Sequence, residues 1–170
     1  AARSKDGVHW EDMGRVLVGD LQICKMFPHI AEDGSVVVNH GSLSGRPGTD
    51  NDTIRFYRSE DMIHWEHLYD NHPDPAYYEP YTRWDHMYVS KVDDTYYGYV
   101  VAVPLPECQS AVGLMKSKDG IHFDIFAPPK FEWDGLPSWK MYEGGGFEKI
   151  GEKYYYIGGT VGYWRKMICG

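Results

Sequence analysis

A heptapeptide that occurs three times at nearly even spacing constrains the fold more than any other feature of this chain. Its copies are Ser4–Trp10, Ser59–Trp65 and Ser117–Phe123, and each follows the pattern Ser-x-Asp-x-x-His-aromatic. The first residues of successive copies are 55 and 58 residues apart. A period of this length is typical of propellers and other arrays in which one supersecondary unit recurs. The sequence therefore predicts a repeated architecture.

Each copy of the heptapeptide is interpreted as a tight turn that leads into a strand. Ser and Asp side chains can accept hydrogen bonds from nearby backbone N–H groups, and the apex falls on Gly7, Met62 or Gly120. The aromatic residue that ends each copy is predicted to pack between neighbouring sheets. On this interpretation the recurring Asp and His residues are structural, and they are not metal ligands.

A second repeat is offset from the first and places a carboxylate eleven residues before a tyrosine-rich strand. Asp85 precedes Tyr96 in one copy, and Glu143 precedes Tyr154 in the next. A two-residue polar turn divides each copy, as in a β-hairpin. An upstream segment of the same shape has Lys25 at the carboxylate position. Because repeats of a propeller are equivalent, the two carboxylates are predicted to lie side by side near its axis.

The composition favours an all-β fold. Aromatic residues make up 15% of the 170 residues, and such side chains suit pleated, half-buried surfaces. No convincing apolar stripe of helical period is longer than two turns. We predict a single β-propeller domain, or a fragment of one, with antiparallel four-stranded blades, about three of them in this chain and about five in a longer parent. The predicted blades are residues 1–13 (the end of one blade), 17–71, 78–128 and 138–170 (the start of another).

Charge and hydropathy exclude two classes of partner. The net charge of −8 comes without any basic stripe, which argues against nucleic acid. No apolar run approaches the ~20 residues that a membrane span requires. No metal or cofactor is predicted, since the cysteines lack metal-type spacing. The first residues do not resemble a signal peptide, and secreted, periplasmic and cytoplasmic locations all stay open. Self-association is expected if the propeller is incomplete.

Paired carboxylates from adjacent blades suit glycoside hydrolysis, which needs one carboxylic acid with a raised pKa and one ionised partner. The segments Arg83–Asp85 and Tyr142–Phe147, together with the repeated turn, resemble the five-bladed propeller glycoside hydrolases of the arabinanase and β-xylosidase type (family 43) and the invertase type (family 32). This resemblance implies an enzyme that cleaves a glycoside or oligosaccharide, with a role in polysaccharide degradation. It also implies that Glu143 is the general acid and that Asp85 stabilises the transition state and tunes the pKa of that acid.

Further residues are predicted to bind the substrate. Arg83 is expected to hold Asp85 ionised or to contact a sugar hydroxyl, and His86 to orient Asp85 or bind substrate. Aromatic side chains can stack on sugar rings, and residues on a Gly- and Asp-rich loop at 39–53 are candidates because binding residues concentrate on loops. These additional candidates are Trp84, Tyr142, Trp164, His40 and Arg46.

Departures from the family pattern leave alternatives open. Trp84 is inserted next to Asp85, and the proline expected after the Asp is missing. The third carboxylate of these families has no counterpart at Lys25, so it is either the displaced Asp20 or a residue outside this chain. One alternative is therefore a sugar-binding or scaffold module that lacks full catalysis. Another is a sialidase-like six-bladed propeller, although the repeated turn is one residue shorter than an Asp-box and no trio of arginines is evident. The sugar, the linkage and the anomeric outcome are not determined by the sequence.

Overall fold

The computed structural model describes residues 1–16, 26–41, 53–106, 111–130 and 141–160, with side chains for all of these except 141–145 and 159–160. Within these ranges every regular element is a β-strand and none is a helix. The strands form antiparallel sheets, of which two have four strands and two have two strands. The prediction of an all-β fold with four-stranded antiparallel sheets is thereby confirmed.

The strands up to Asn71 form a hairpin and the first four-stranded sheet. They are β1 (Ala2–Ser4), β2 (Trp10–Asp12), β3 (Phe27–Ile30), β4 (Val36–Gly41), β5 (Ile54–Ser59) and β6 (Glu66–Asn71). The remaining strands form the second four-stranded sheet and a two-stranded sheet. They are β7 (Met87–Val92), β8 (Thr95–Ala102), β9 (Ala111–Ser117), β10 (Asp124–Phe126), β11 (Met141–Ile150) and β12 (Lys153–Thr160).

Both four-stranded sheets are meanders in which each strand pairs with the next along the chain, in the orders β3-β4-β5-β6 and β7-β8-β9-β10. The edge strand β7 packs against β3 of the first sheet and against β11. Among the described strands no sheet closes on itself, so the propeller arrangement and its division into blades stay predictions.

The three heptapeptides form one and the same turn, between β1 and β2, β5 and β6, and β9 and β10. In the first copy Ser4 Oγ accepts the N–H groups of Asp6 and Gly7, and Asp6 Oδ1 accepts those of Val8 and His9, at 2.8–3.3 Å. The imidazole Nδ1 of His9 lies 2.7 Å from Asp6 Oδ2. The same bonds recur in the other two copies. The predicted turn, held by Ser and Asp side chains, is confirmed.

The apex residue of each turn has a left-handed backbone, with φ of 75° at Gly7, 65° at Met62 and 75° at Gly120. Glycine adopts this conformation without steric cost, whereas Met62 does not. This shared φ explains why two of the three copies have Gly at the apex.

The aromatic residues after the turns do not share one environment. Phe123 is buried between the two four-stranded sheets, with its ring 5.7 Å from that of Phe56. Trp65 is half-buried beside Val38, but Trp10 is 63% exposed. The prediction of packing between sheets is therefore correct for Phe123 and wrong for Trp10, whose side chain meets solvent.

Apolar residues from both four-stranded sheets interdigitate in one core. The first sheet contributes Val37, Ile54 and Phe56, and the second contributes Met87, Val100 and Met115. Phe123 joins them from the turn before β10. Tyr78, from the connection between the sheets, is fully buried in this core. Its hydroxyl donates to Phe126 O at 2.7 Å and accepts the Leu114 N–H at 3.0 Å, and burial raises the pKa of Tyr78 to about 12.

The second sequence repeat corresponds to two hairpins, as predicted. Asp93 and Asp94 connect β7 to β8, and Gly151 and Glu152 connect β11 to β12. In β11 the pairing register shifts between Gly144 and Gly146, so the glycine run coincides with a β-bulge.

Candidate functional site

Asp85 lies two residues before β7, where the chain enters the edge of the second sheet. Its N–H donates to Val101 O at 3.1 Å, and the Val101 N–H donates to His86 O at 3.2 Å. These bonds fix the backbone of Asp85 on the adjacent strand β8. The side chain remains 27% exposed, so it is partly accessible to solvent.

Two cationic or potentially cationic side chains flank the Asp85 carboxylate. The Arg83 guanidinium donates to Asp85 Oδ2 at 3.0 Å, and His86 Nδ1 lies 3.3 Å from Asp85 Oδ1. Burial of Asp85 raises its pKa, but His86 and Arg83 together outweigh burial and hold the pKa of this carboxyl below its ordinary value. The carboxylate is therefore ionised at neutral pH.

The first sheet contacts this segment through residues that the sequence analysis did not single out. The Phe27 ring is stacked on the His86 imidazole, with centroids 4.7 Å apart. Gly41 lies so close that a Cβ atom there would come within 2.7 Å of Asp85 O. His86 itself is 2% exposed, so it is suited to orient Asp85 rather than to meet a ligand.

Trp84 does not present a face on which a sugar could stack. Its side chain is fully buried, with its ring centroid 5.0 Å from that of Tyr78. The indole N–H donates to Asn71 Oδ1 at 2.9 Å, which satisfies its polar atom inside the core. The expectation that Trp84 binds substrate is corrected: it anchors the segment that carries Asp85.

His40 lies on the opposite face of the first sheet from Asp85. Successive β-strand side chains alternate between faces, and Asn39 and Gly41 are the ones that contact the second sheet. The His40 ring is instead stacked on Tyr57 with centroids 5.4 Å apart, and burial lowers the pKa of His40. Its Nε2 has no hydrogen-bond partner in the part of the chain that the structure describes. The structure thus does not bring His40 to Asp85.

Glu143 is the third residue of β11, opposite Gly159 of β12. Because β11 packs against β7, Glu143 lies in a strand next to the one that Asp85 precedes by two residues. The side chains of Glu143 and Tyr142 lie outside the described part of the chain, as do Arg46, Trp164, Lys25 and Asp20 altogether. A shared cleft for both carboxylates stays a prediction.

A sequence signal for one missed residue exists in retrospect. Asn39 follows three consecutive Val residues in β4, and Asn is unfavourable in strands. A polar residue in such a run must find hydrogen bonds when it is buried, and Asn39 finds them across the sheet interface at Met87.

The described ranges hold neither a candidate metal centre nor a candidate membrane span. There, no group of three His, Cys, Asp or Glu residues is arranged to hold a metal ion. No helix in that part of the chain is long and apolar enough to cross a membrane.

In comparisons with known proteins, no family model matches this chain and no curated protein is detectably similar to it.

Proposed function

We propose that this chain is part of a β-propeller that hydrolyses glycosidic bonds, with Glu143 as the general acid and Asp85 as its ionised partner. The two four-stranded sheets are its blades, and the parent is of the five-bladed type. Their meander order supports this arrangement. So does the contact of β7 with both β3 and β11, because the first strands of successive blades lie next to each other around a propeller axis.

The observation that carries the proposal is the environment of Asp85. Its carboxylate is bound by Arg83, adjoins His86 and keeps an exposed side. An ionised carboxylate stabilises the positive charge that develops on the sugar in an oxocarbenium-like transition state. It also raises the pKa of a neighbouring carboxylic acid, as a general acid requires near neutral pH.

The backbone around Glu143 also favours a site. The glycine run with its register shift provides a stretch where a ligand can approach the main chain closely. Gly146 lies beside β7, since a Cβ there would be at van der Waals distance, 3.6 Å, from the Tyr88 ring. In the proposed reaction Glu143 gives its proton to the leaving oxygen as the glycosidic C–O bond breaks. A water forms the new C–O bond at the anomeric carbon, and the proton that this water loses replaces the one that Glu143 gave up.

The test compares Glu143→Gln with the wild type on two substrates of the same sugar. On a disaccharide, whose leaving group must be protonated, we expect kcat/KM to fall ~10²-fold or more. On a nitrophenyl glycoside the loss should be much smaller, because that leaving group departs without a proton. Glu148→Gln is the matched control, since Glu148 is an exposed residue of the same strand. Equal losses on both substrates would contradict the acid role.

A sugar-binding module without hydrolysis is the second candidate, and Lys25 at the repeat position of a carboxylate favours it. Calorimetric titration with oligosaccharides separates the two. Binding by a wild type that hydrolyses none of them, with loss of affinity in Asp85→Asn and none in Asp93→Asn, would support the module. Asp93 is a suitable control because it lies in the exposed turn at the other end of β7.

A further inference from the structure

Asn39 is a fully buried polar residue whose side chain joins the two four-stranded sheets. Its Oδ1 accepts the Met87 N–H at 2.8 Å, and its Nδ2 donates to Met87 O at 2.8 Å. The same amide nitrogen donates to Phe27 O at 3.2 Å. One side chain thus satisfies both backbone groups of the first residue of β7 and ties them to β3.

These bonds fall on an edge that no neighbouring strand pairs within the described sheet, since β7 is the last strand of its order. Backbone groups at such an edge are otherwise free to pair with water or another chain. The Asn39 amide takes the place of a neighbouring strand at a position two residues from Asp85. It therefore fixes the point at which the segment with Asp85 enters the sheet.

Three residues of the first sheet contact three consecutive residues of this segment: Gly41 meets Asp85, Phe27 meets His86 and Asn39 meets Met87. The first two contacts are steric and aromatic, and neither is a hydrogen bond. Hydrogen bonds depend steeply on distance and angle. In the described part of the chain, two hydrogen-bonding contacts join the first sheet to the segment, Asn71 with the Trp84 side chain and Asn39 with Met87, and of these Asn39 is the one that binds backbone groups of the segment.

We propose that Asn39 is a positioning residue, which holds the Asp85 carboxylate in its working position through the backbone of Met87. This inference rests on the proposed function, in which Asp85 acts together with Glu143 from a neighbouring strand. The two reacting groups come from different sheets, and a displacement of about 1 Å can cost ~10²-fold in rate. Asn39 acts on the Asp85 side of this pair, because it belongs to the first sheet, whereas Glu143 belongs to the sheet of β11 and β12.

The test compares Asn39→Ala with Tyr69→Phe. Tyr69 also joins the two sheets through hydrogen bonds, to Ile121 O at 2.9 Å and from the Phe123 N–H at 3.2 Å, but at the outer strands. We expect both variants to lower the melting temperature. With the disaccharide as substrate, only Asn39→Ala should lower kcat, by about 10-fold or more, with little change in KM. Only Asn39→Ala should also raise the pKa of Asp85, by about half a unit or more in a carboxyl NMR titration, as Arg83 and His86 lose their fixed positions.

Equal kcat values and equal Asp85 titrations in the two variants would reduce Asn39 to a structural residue and overturn the proposal. If Tyr69→Phe also lowers kcat and raises the pKa of Asp85, the proposal is overturned as well. If Asn39→Ala does not fold, Asn39→Ser, which keeps a hydrogen-bonding group, is held to the same criteria. A wild type without hydrolytic activity would refute the proposed function, and the Asp85 titration would still decide whether Asn39 positions that carboxylate.

Discussion

The turn Ser117–Phe123 and the segment Arg83–Met87 lie in the same sheet, but their conformations have different origins. In the turn, the side chains of Ser117 and Asp119 bind backbone groups two or three residues away. In the segment, Trp84 binds a residue 13 positions away and Met87 one 48 positions away. The turn is specified by its own sequence, whereas the segment takes its shape from the sheets around it.

The same contrast separates identical turns from each other. The Ser117–Phe123 turn receives bonds from the first sheet, with His29 Nε2 2.7 Å from Gly120 O and the Glu32 N–H 2.8 Å from Asp119 O. The residues of the Ser4–Trp10 turn are exposed or half-buried. Conformation is therefore a local property here, but the contribution of a turn to stability is not.

The largest expected difference is between Trp84, in the segment Arg83–Met87, and Trp10, at the end of the exposed turn. Trp84→Ala should lower the free energy of unfolding by ~3–5 kcal/mol, because it opens a cavity in the core and leaves Asn71 without its donor. Trp10→Ala should change it by less than ~0.5 kcal/mol, because Trp10 is 63% exposed. Denaturant unfolding measures both, and similar losses would erase the distinction.

A second pair of variants tests the close approach at Asp85. Gly41→Ala should cost roughly 1–3 kcal/mol, since its Cβ would lie 2.7 Å from a backbone oxygen that cannot rotate away. Gly146→Ala should be nearly neutral, because the nearest atom to its Cβ is 3.6 Å away. Equal stability of the two variants in denaturant unfolding would mean that Gly41 is not in close contact with the Asp85 backbone.

Acid unfolding tests whether the embedded turn matters more than the exposed one. Hydrogen bonds from His122 and the turn backbone outweigh burial and hold the pKa of Asp119 well below its ordinary value of 3.8. A folded-state pKa below the unfolded one gives stability that is present above about pH 4 and is lost as the pH falls through the folded value.

The melting temperature of Asp119→Asn should therefore fall less steeply below pH 4 than that of the wild type. Asp6→Asn should follow the wild type more closely, because its exposed hairpin can open without unfolding the sheets. Thermal melts between pH 5 and pH 2 decide this, and identical curves for the two variants would contradict it.

The smallest expected effect is a gain. Met62→Gly should stabilise the protein by about 0.5 kcal/mol, because removal of a left-handed Met relieves roughly 1–2 kcal/mol and the greater freedom of unfolded Gly offsets part of it. In the opposite direction, Gly120→Ala should cost more than Gly7→Ala. Its Cβ would be 3.0 Å from the Tyr96 ring, whereas nothing lies within 4 Å of Gly7. The melting temperatures of Met62→Gly, Gly7→Ala and Gly120→Ala, each compared with that of the wild type, test this ranking of stabilities.

How far sequence reasoning reaches is visible at particular residues. The Ser and Asp pattern predicts three turns because all the bonded groups lie within one heptapeptide. The hairpins at Asp93 and Gly151 follow from local turn chemistry for the same reason. Trp84 could not be assigned correctly, because an isolated Trp beside a candidate acid has the same sequence signal whether it faces a ligand or the core. His40 was assigned to a loop at 39–53, but it lies in β4, because the point at which this strand ends depends on its pairing with β5.

By itself, the sequence determined the all-β class, the recurrence of one turn and the hairpins, since each depends on side chains and backbone groups that are neighbours in the chain. Only the tertiary structure decided that Gly41 and Phe27 contact the segment with Asp85 and that Asn39 binds Met87. Those contacts join residues far apart in the chain. They form only when the apolar faces of the two sheets are buried against each other, because that burial sets which positions meet.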